Sequence, residues 1–155
     1  LIVTKCFNLN LIILINFIMK PKLMAGNIYS DDRGKIFHIN NFDLTPIKRM
    51  YAIENINTTH YRGWKGHLIE NRWFYCQIGE IEVQVVSVEC FQKKEPKIET
   101  FNLTEKNLNV LFVPKGFATL IKQNKNKSRI IAMSDYLLGE SNDENLRWDS
   151  IFFKK

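Results

Sequence analysis

The stretch Trp73-Phe74-Tyr75-Cys76-Gln77-Ile78, broken by Gly79 and resumed as Ile81, Val83 and Val85 alternating with Glu82 and Gln84, constrains this chain more than any other. The first part reads as a nearly continuous buried strand. The second has the period of two that marks a half-buried strand. A single glycine between them is turn punctuation, so the expectation is a β-hairpin turned at Gly79-Glu80.

The same rhythm recurs along the chain. Asp31-Asp32-Arg33-Gly34 is a turn, because Asp accepts local N–H bonds and Gly tolerates positive φ. Lys35–Ile39 then reads as a strand. Ile47–Ile53 is the next, with Ile47, Arg49 and Tyr51 on one face and Lys48, Met50 and Ala52 on the other. Short extended runs follow at Glu99–Leu103, Val110–Val113, Phe117–Ile121 and Arg129–Met133, and Leu146–Phe153 packs at an edge. Short strands joined by Gly, Pro and Asn turns predict an all-β sandwich or barrel rather than a parallel sheet. Eleven Phe, five Tyr and three Trp agree with strands. The 155 residues fit one domain over 19–155, with no internal repeat or linker. Residues 1–18, apolar or Asn-rich with Lys5 the single charge, read as translated upstream sequence or a disordered extension. The run Leu11–Ile18 is too short to span a bilayer and is interrupted by Asn16, so no membrane partner is expected.

The formal charge of +6 suits either a solvated surface or an anionic ligand. No block of basic residues interleaved with aromatics is present, which argues against nucleic acid. Cys6, Cys76 and Cys90 form neither a paired framework nor a CxxC, as expected of a reducing, cytoplasmic setting. No Gly-rich dinucleotide fingerprint, phosphate loop, HExxH or GxSxG occurs.

The constellation that could carry chemistry is Arg62-Gly63-Trp64-Lys65-Gly66-His67, followed by Arg72. On a strand Lys65 and His67 face one side, so a cation and an imidazole would share any cavity there. The alternative is a surface lysine and a satisfied loop histidine.

Five motifs in order carry a resemblance: Asp-x-Arg-Gly ending at Gly34, Arg62-Gly63 with His67, the Gly79 turn, Val113-Pro114-Lys115-Gly116-Phe117-Ala118, and Ser134-Asp135-Tyr136. Together they resemble the RmlC-like cupins of sugar-nucleotide pathways. Two families are meant, the dTDP-4-dehydrorhamnose 3,5-epimerases and the WxcM-like dTDP-sugar 3,4-ketoisomerases. The likeness runs from about Gly26 to Phe153 and implies a cupin, jelly-roll antiparallel β-barrel. It implies an isomerase or epimerase that acts on a nucleotide-linked 4-keto-6-deoxy sugar, probed best as a dTDP-sugar, in surface-polysaccharide synthesis. It also implies a homodimer and no cofactor.

Carried over residue by residue, the resemblance makes His67, Tyr136, Arg72 and Lys65 the catalytic set. Arg62 and Arg33 become substrate-binding residues, and Trp64 or Trp73 is the ring that would stack on the base or sugar, with a core role the alternative for Trp73. Lys65 stands where the epimerases place their catalytic His, and Arg72 where they carry a Lys. Three outcomes follow: His67 is the base, or Lys65 is the base with a pKa lowered by its surroundings, or the barrel binds a sugar nucleotide or partner without turnover. The positions that hold metal in metal-binding cupins carry Lys65, His67, Glu70 and Thr119, too few ligands for a stable site, so no metal is expected.

Overall fold

The computed structural model describes residues 19–93, 96–141 and 146–153. The proposed extension at 1–18 and Cys6 lie outside the described residues. Eleven strands and one five-residue helix are present among those described. The strands are β1 (Lys22–Met24), β2 (Asn27–Asp31), β3 (Gly34–His38), β4 (Arg49–Glu54), β5 (Tyr61–His67), β6 (Arg72–Ile78) and β7 (Glu80–Ser87). The helix α1 (Glu89–Lys93) precedes β8 (Glu99–Thr104), β9 (Val110–Val113), β10 (Phe117–Gln123) and β11 (Arg129–Ser134). Sequence reasoning missed α1, β1 and β2. The all-β expectation stands.

Two antiparallel sheets face each other, ordered β1-β9-β6-β11-β4 and β5-β10-β7-β8. Their inner faces share one core. Phe74, Cys76, Leu111, Ile130 and Ala132 come from the first sheet, and Ile81, Val83, Val85, Leu103 and Ile121 from the second.

The expected β6–β7 hairpin does not form. β6 pairs with β9 and β11, while β7 pairs with β10 and β8. Gly79, at φ 79°, carries the chain from one sheet into the other. A hairpin needs two turn residues that reverse the chain beside itself, and here one glycine only redirects it. Glycine is required at this corner, because a Cβ would lie 2.2 Å from Ser128 Oγ. The near-continuous apolar character of β6 has its own cause. Phe74 and Cys76 enter the inter-sheet core, while Trp73 and Tyr75 pack on the outer face with Phe112, Ile131 and Met133.

β4 begins two residues later than expected. Ile47 belongs to a turn closed by its N–H on the Leu44 carbonyl at 2.9 Å, and its side chain packs on the outer cluster. β2 and β3 form a separate ribbon that pairs with no third strand among the described residues. Its Ile28, Tyr29, Ile36 and Phe37 are all exposed.

Candidate functional site

The inward rows of four strands turn from apolar to polar at the same level. In β6 the row runs Cys76, Phe74, Arg72, and in β11 it runs Ile130, Ala132, Ser134. In β4 it runs Ile53, Tyr51, Arg49. Cross-strand register lines these up in layers: Cys76 with Ile130 and Ile53, Phe74 with Ala132 and Tyr51, Arg72 with Ser134 and Arg49. Opposite them, β10 changes from Ile121 to Thr119, and Thr119 lies across from Lys65 of β5. One end of the sandwich is thus a hydrocarbon core and the other a polar cavity of about 1020 Å³.

Glu70, in the β5–β6 loop, is the hub of that cavity and is buried. Its carboxylate accepts hydrogen bonds from Arg72 Nη1 at 3.2 Å, Arg49 Nη2 at 3.2 Å, Ser134 Oγ at 2.7 Å and the Ser141 hydroxyl. His67 Nδ1 lies 3.7 Å from Glu70 Oε1. Burial works against the charged form. The Ser141 and Ser134 hydroxyls, with the charges of His67 and Arg72, outweigh it and hold the Glu70 carboxyl at about 2. The loop that carries Glu70 is itself fixed. Asp135 accepts the Asn71 backbone N–H at 2.8 Å and its Nδ2 at 2.7 Å, and Asn71 Oδ1 accepts the Lys115 N–H at 3.1 Å.

Of the residues expected from sequence, Arg62, Lys65, His67 and Arg72 line this one cavity. Arg62 is exposed at its mouth, and its Nε donates to Asn55 Oδ1 at 2.9 Å. Asn55 is buried and braced by donating to the His60 carbonyl. Arg72 is placed differently from expectation. Each of its nitrogens already donates: Nε to the Met133 carbonyl at 3.1 Å, Nη1 to Glu70, and Nη2 to Tyr51 Oη at 2.5 Å. It is engaged by the protein itself and does not offer an open guanidinium to a ligand.

Two expected site residues stand elsewhere, and a third borders the cavity with its ring turned away. Tyr136 does not line the cavity, and its ring lies 5.3 Å from the Lys48 ammonium. It sits one residue beyond Asp135, where β11 has ended and the inward row no longer governs direction. Trp64 borders the cavity, but its indole is 1% exposed and meets Phe91 and Phe153 edge-on in an aromatic cluster. A ring so covered offers no face for stacking on a ligand. On β5 it alternates with Lys65 and points away from the cavity. Arg33 lies on the exposed β2–β3 turn, pairs with Asp31 at 2.5 Å, and does not line the cavity.

Sequence reasoning weighed Glu70 only as a metal position and assigned no role to Tyr51, Arg49, Ser134, Ser141 or Arg147. The facing of Arg49 with Tyr51 was legible on β4. Their meeting with β6 depends on register, which no local pattern reveals. Of the four metal-position residues, Lys65 is a cation, Thr119 is neutral, and Glu70 already engages two guanidiniums and two hydroxyls. Among the described residues, no three His, Cys, Asp or Glu side chains gather as ligands.

No family model matches this sequence, and no curated protein matches it. Solved structures do match. A 3,4-ketoisomerase from Helicobacter canadensis aligns over 87% of this chain and 96% of its own, with TM-score 0.64 and 18% identity. The dTDP-4-dehydrorhamnose 3,5-epimerase of Bacillus anthracis, solved with TDP and PPi bound, aligns over 81% and 82%, with TM-score 0.65 and 17% identity. The 3,4-ketoisomerase QdtA of Thermoanaerobacterium thermosaccharolyticum, as a mutant in complex with TDP-4-keto-6-deoxyglucose, aligns over 79% and 84%, with TM-score 0.62 and 15% identity. The fold is therefore that of the RmlC-like cupins, a jelly-roll of antiparallel strands. At these identities the likeness speaks of fold.

Proposed function

We propose that the cavity binds a nucleotide-linked 4-keto-6-deoxy sugar and moves protons on it without a cofactor, as an epimerase or 3,4-ketoisomerase. One observation carries the reading: His67, Lys65 and Tyr51 line one cavity beside an ionised Glu70, with Arg62 at the mouth. The neighbours of this fold that were solved with TDP or TDP-4-keto-6-deoxyglucose support the ligand class.

The C–H bonds beside a ketone are acidic, and a positioned base can remove one while a cation stabilises the enolate. His67 serves as the base, and the anionic Glu70 beside its Nδ1 favours the imidazolium that results. Lys65 supplies charge to the enolate oxygen. Tyr51 takes the donor role first assigned to Tyr136. Its oxygen accepts from Arg72, which leaves its own O–H proton to be given to the sugar. Return of the proton to the opposite face gives an epimer, and return after the enediol shifts gives a 3-keto isomer. Arg62 holds a phosphate, as a guanidinium can with two parallel bonds. Lys65 as base, or binding without turnover, remains the rival reading.

The decisive experiment is incubation with dTDP-4-keto-6-deoxyglucose in D₂O. Deuterium is expected at C3 or C5 for an epimerase, and at C4 of the 3-keto product for a ketoisomerase. Tight dTDP-sugar binding with no exchange would instead assign a binding module.

We also propose a homodimer in the cytoplasm, working in surface-polysaccharide synthesis. A two-stranded ribbon is marginal in water by itself, and β2–β3 exposes apolar side chains on both faces. A second copy covering the ribbon accounts for both facts. Sedimentation equilibrium should give twice the chain mass, and Ile36→Glu should shift it toward monomer. A wild-type monomer at micromolar concentration would remove this part. No described helix is long and apolar enough to cross a membrane.

A further inference from the structure

Arg62 reaches the cavity mouth through an irregularity in the pairing of β5. Lys65 lies opposite Thr119 of β10, and Arg62 lies opposite Ile121. Three residue steps on β5 therefore match two on β10, which is a β-bulge. Strict alternation from Lys65 would turn Arg62 to the face that carries Trp64. The extra residue turns it back to the face of Lys65, between the sheets. Gly63 occupies the bulge at φ 118°, and a Cβ there would lie 2.2 Å from the Thr119 carbonyl oxygen, so the position requires glycine.

A second contact fixes where the guanidinium then points. Asn55 follows the last residue of β4, the edge of the five-stranded sheet, and Arg62 lies on β5, an edge of the four-stranded one. The Arg62 Nε donates to Asn55 Oδ1 at 2.9 Å, so this bond ties the two sheet edges together at the mouth. Asn55 is buried although its partner is exposed. Its Nδ2 donates to the His60 carbonyl at 3.0 Å, which holds the amide with its oxygen toward Arg62. The chemistry of the acceptor matters. Arg49 and Arg72 are held by the Glu70 carboxylate, which offsets their charge. Asn55 is neutral, so it orients Arg62 and leaves the charge whole. The carboxylate next along the chain, Glu54, is engaged by Arg129.

We infer that Asn55 is the positioning residue of the cavity mouth: it holds Arg62 by Nε so that Nη1 and Nη2 meet the diphosphate of the ligand. This rests on the proposed reading of the cavity as a sugar-nucleotide site. A guanidinium gives its two parallel bonds along one edge of the fork. With Nε bonded to Asn55, the edge left to present is the one formed by the two terminal nitrogens. An arginine that swings freely at a cavity mouth loses that freedom when it closes on a ligand. The bulge at Gly63 and the bond to Asn55 impose the loss before the ligand arrives, so the guanidinium is preorganised for it.

Calorimetric titration of the full chain with dTDP and with inorganic pyrophosphate tests this. Arg62→Ala should weaken both about ten- to a hundredfold, the loss typical of a hydrogen-bonded charge. Asn55→Ala should weaken both about three- to tenfold, the scale of one ordinary hydrogen bond. The double variant should lose no more than Arg62→Ala alone, since a residue that acts through Arg62 then has nothing to aim. Asn55→Asp should also weaken both ligands, because its carboxylate offsets the charge that the amide spares. Being isosteric, it carries the test where Asn55→Ala fails to fold. Wild-type dTDP affinity in either folded Asn55 variant would overturn the inference. So would additive losses in the double variant, since Asn55 would then be acting through the fold. If wild type binds pyrophosphate but no dTDP, and the coupled loss appears with pyrophosphate, the sugar-nucleotide reading fails while the positioning role stands. If wild type binds neither, both fail.

Discussion

Arg72 and Cys76 lie four residues apart on one face of one strand, and their surroundings treat charge in opposite ways. Around Arg72 the cavity holds Glu70 ionised, with its carboxyl at about 2. Around Cys76 burial, with the Glu105 charge behind it, pushes the thiol up to about 11. The difference is not depth, since Glu70 and Cys76 are 3% and 4% exposed. It is the supply of partners. Glu70 meets two guanidiniums and two hydroxyls, whereas the Cys76 thiol finds only the Ile78 and Gly79 carbonyls, which suit its protonated form. A single sandwich therefore disfavours charge at one end and stabilises it at the other, and the change takes one layer of side chains.

The largest effect should separate the two ends by what they do. His67→Ala is expected to lower solvent-deuterium exchange into a 4-keto sugar about a hundred- to ten-thousandfold, the usual loss of a positioned base, while dTDP binding holds. Leu111→Ala, in the apolar half, should cost about 2–5 kcal/mol of stability, with the exchange rate per folded molecule little changed. Exchange that survives His67→Ala would transfer the base role to Lys65.

The two titrating groups sharpen the contrast through pH. Glu70 has a lowered folded pKa, so its contribution is present above its ordinary value of 4.5 and is lost as pH falls toward 2. Cys76 has a raised one, so its contribution is present below 9 and is lost as pH rises toward 11. Each is on the order of 3 kcal/mol at most, from a shift of roughly two units. Urea unfolding across pH should show both limbs. Glu70→Gln should flatten the acid limb alone, and Cys76→Ala the alkaline limb alone. An acid limb as steep in Glu70→Gln as in wild type would mean that the carboxylate is not the hub.

The apolar half was the legible half. Ile81, Val83 and Val85 alternate, and all three are buried as the pattern demands. What misled was Gly79, because one glycine between two strands reads the same whether they pair or part into different sheets. At the polar end, Lys65 and His67 were legible from their spacing on β5. Glu70 was visible but had no local signal for its role, since its partners lie on β4, on β11 and in the loop holding Ser141. Tyr136 was misplaced because motif order gives sequence position, not direction once a strand has ended.

A smaller comparison separates the two tyrosines. Tyr51 accepts from Arg72 inside the cavity, while Tyr136 stacks under Lys48 outside it. Tyr51→Phe removes an acceptor from a guanidinium, a loss of about 1.5–3 kcal/mol, and should slow exchange roughly ten- to a hundredfold. Tyr136→Phe should leave the rate near wild type. The reverse order would return the donor role to Tyr136.

The finest test uses two buried serines, one at each end. Ser128 Oγ accepts the Glu80 N–H at 3.0 Å and donates to the Lys125 carbonyl at 2.8 Å, closing the corner beside Gly79. Ser141 donates to Glu70. Either serine changed to alanine should cost about 1–2 kcal/mol at neutral pH, since each leaves a buried group short of a partner. Their pH dependence should differ. The Ser128 partners are backbone amides that do not titrate, so its penalty should be flat from pH 7 down to pH 3. Ser141 stabilises an anion, so its loss lets the Glu70 carboxyl rise toward 4.5, and the penalty should shrink as pH falls from about 4 toward 2. Two deletions of equal size at neutral pH would then diverge in acid. If both penalties stay flat, Ser141 is only filling space, and the polar end is held together by its two arginines.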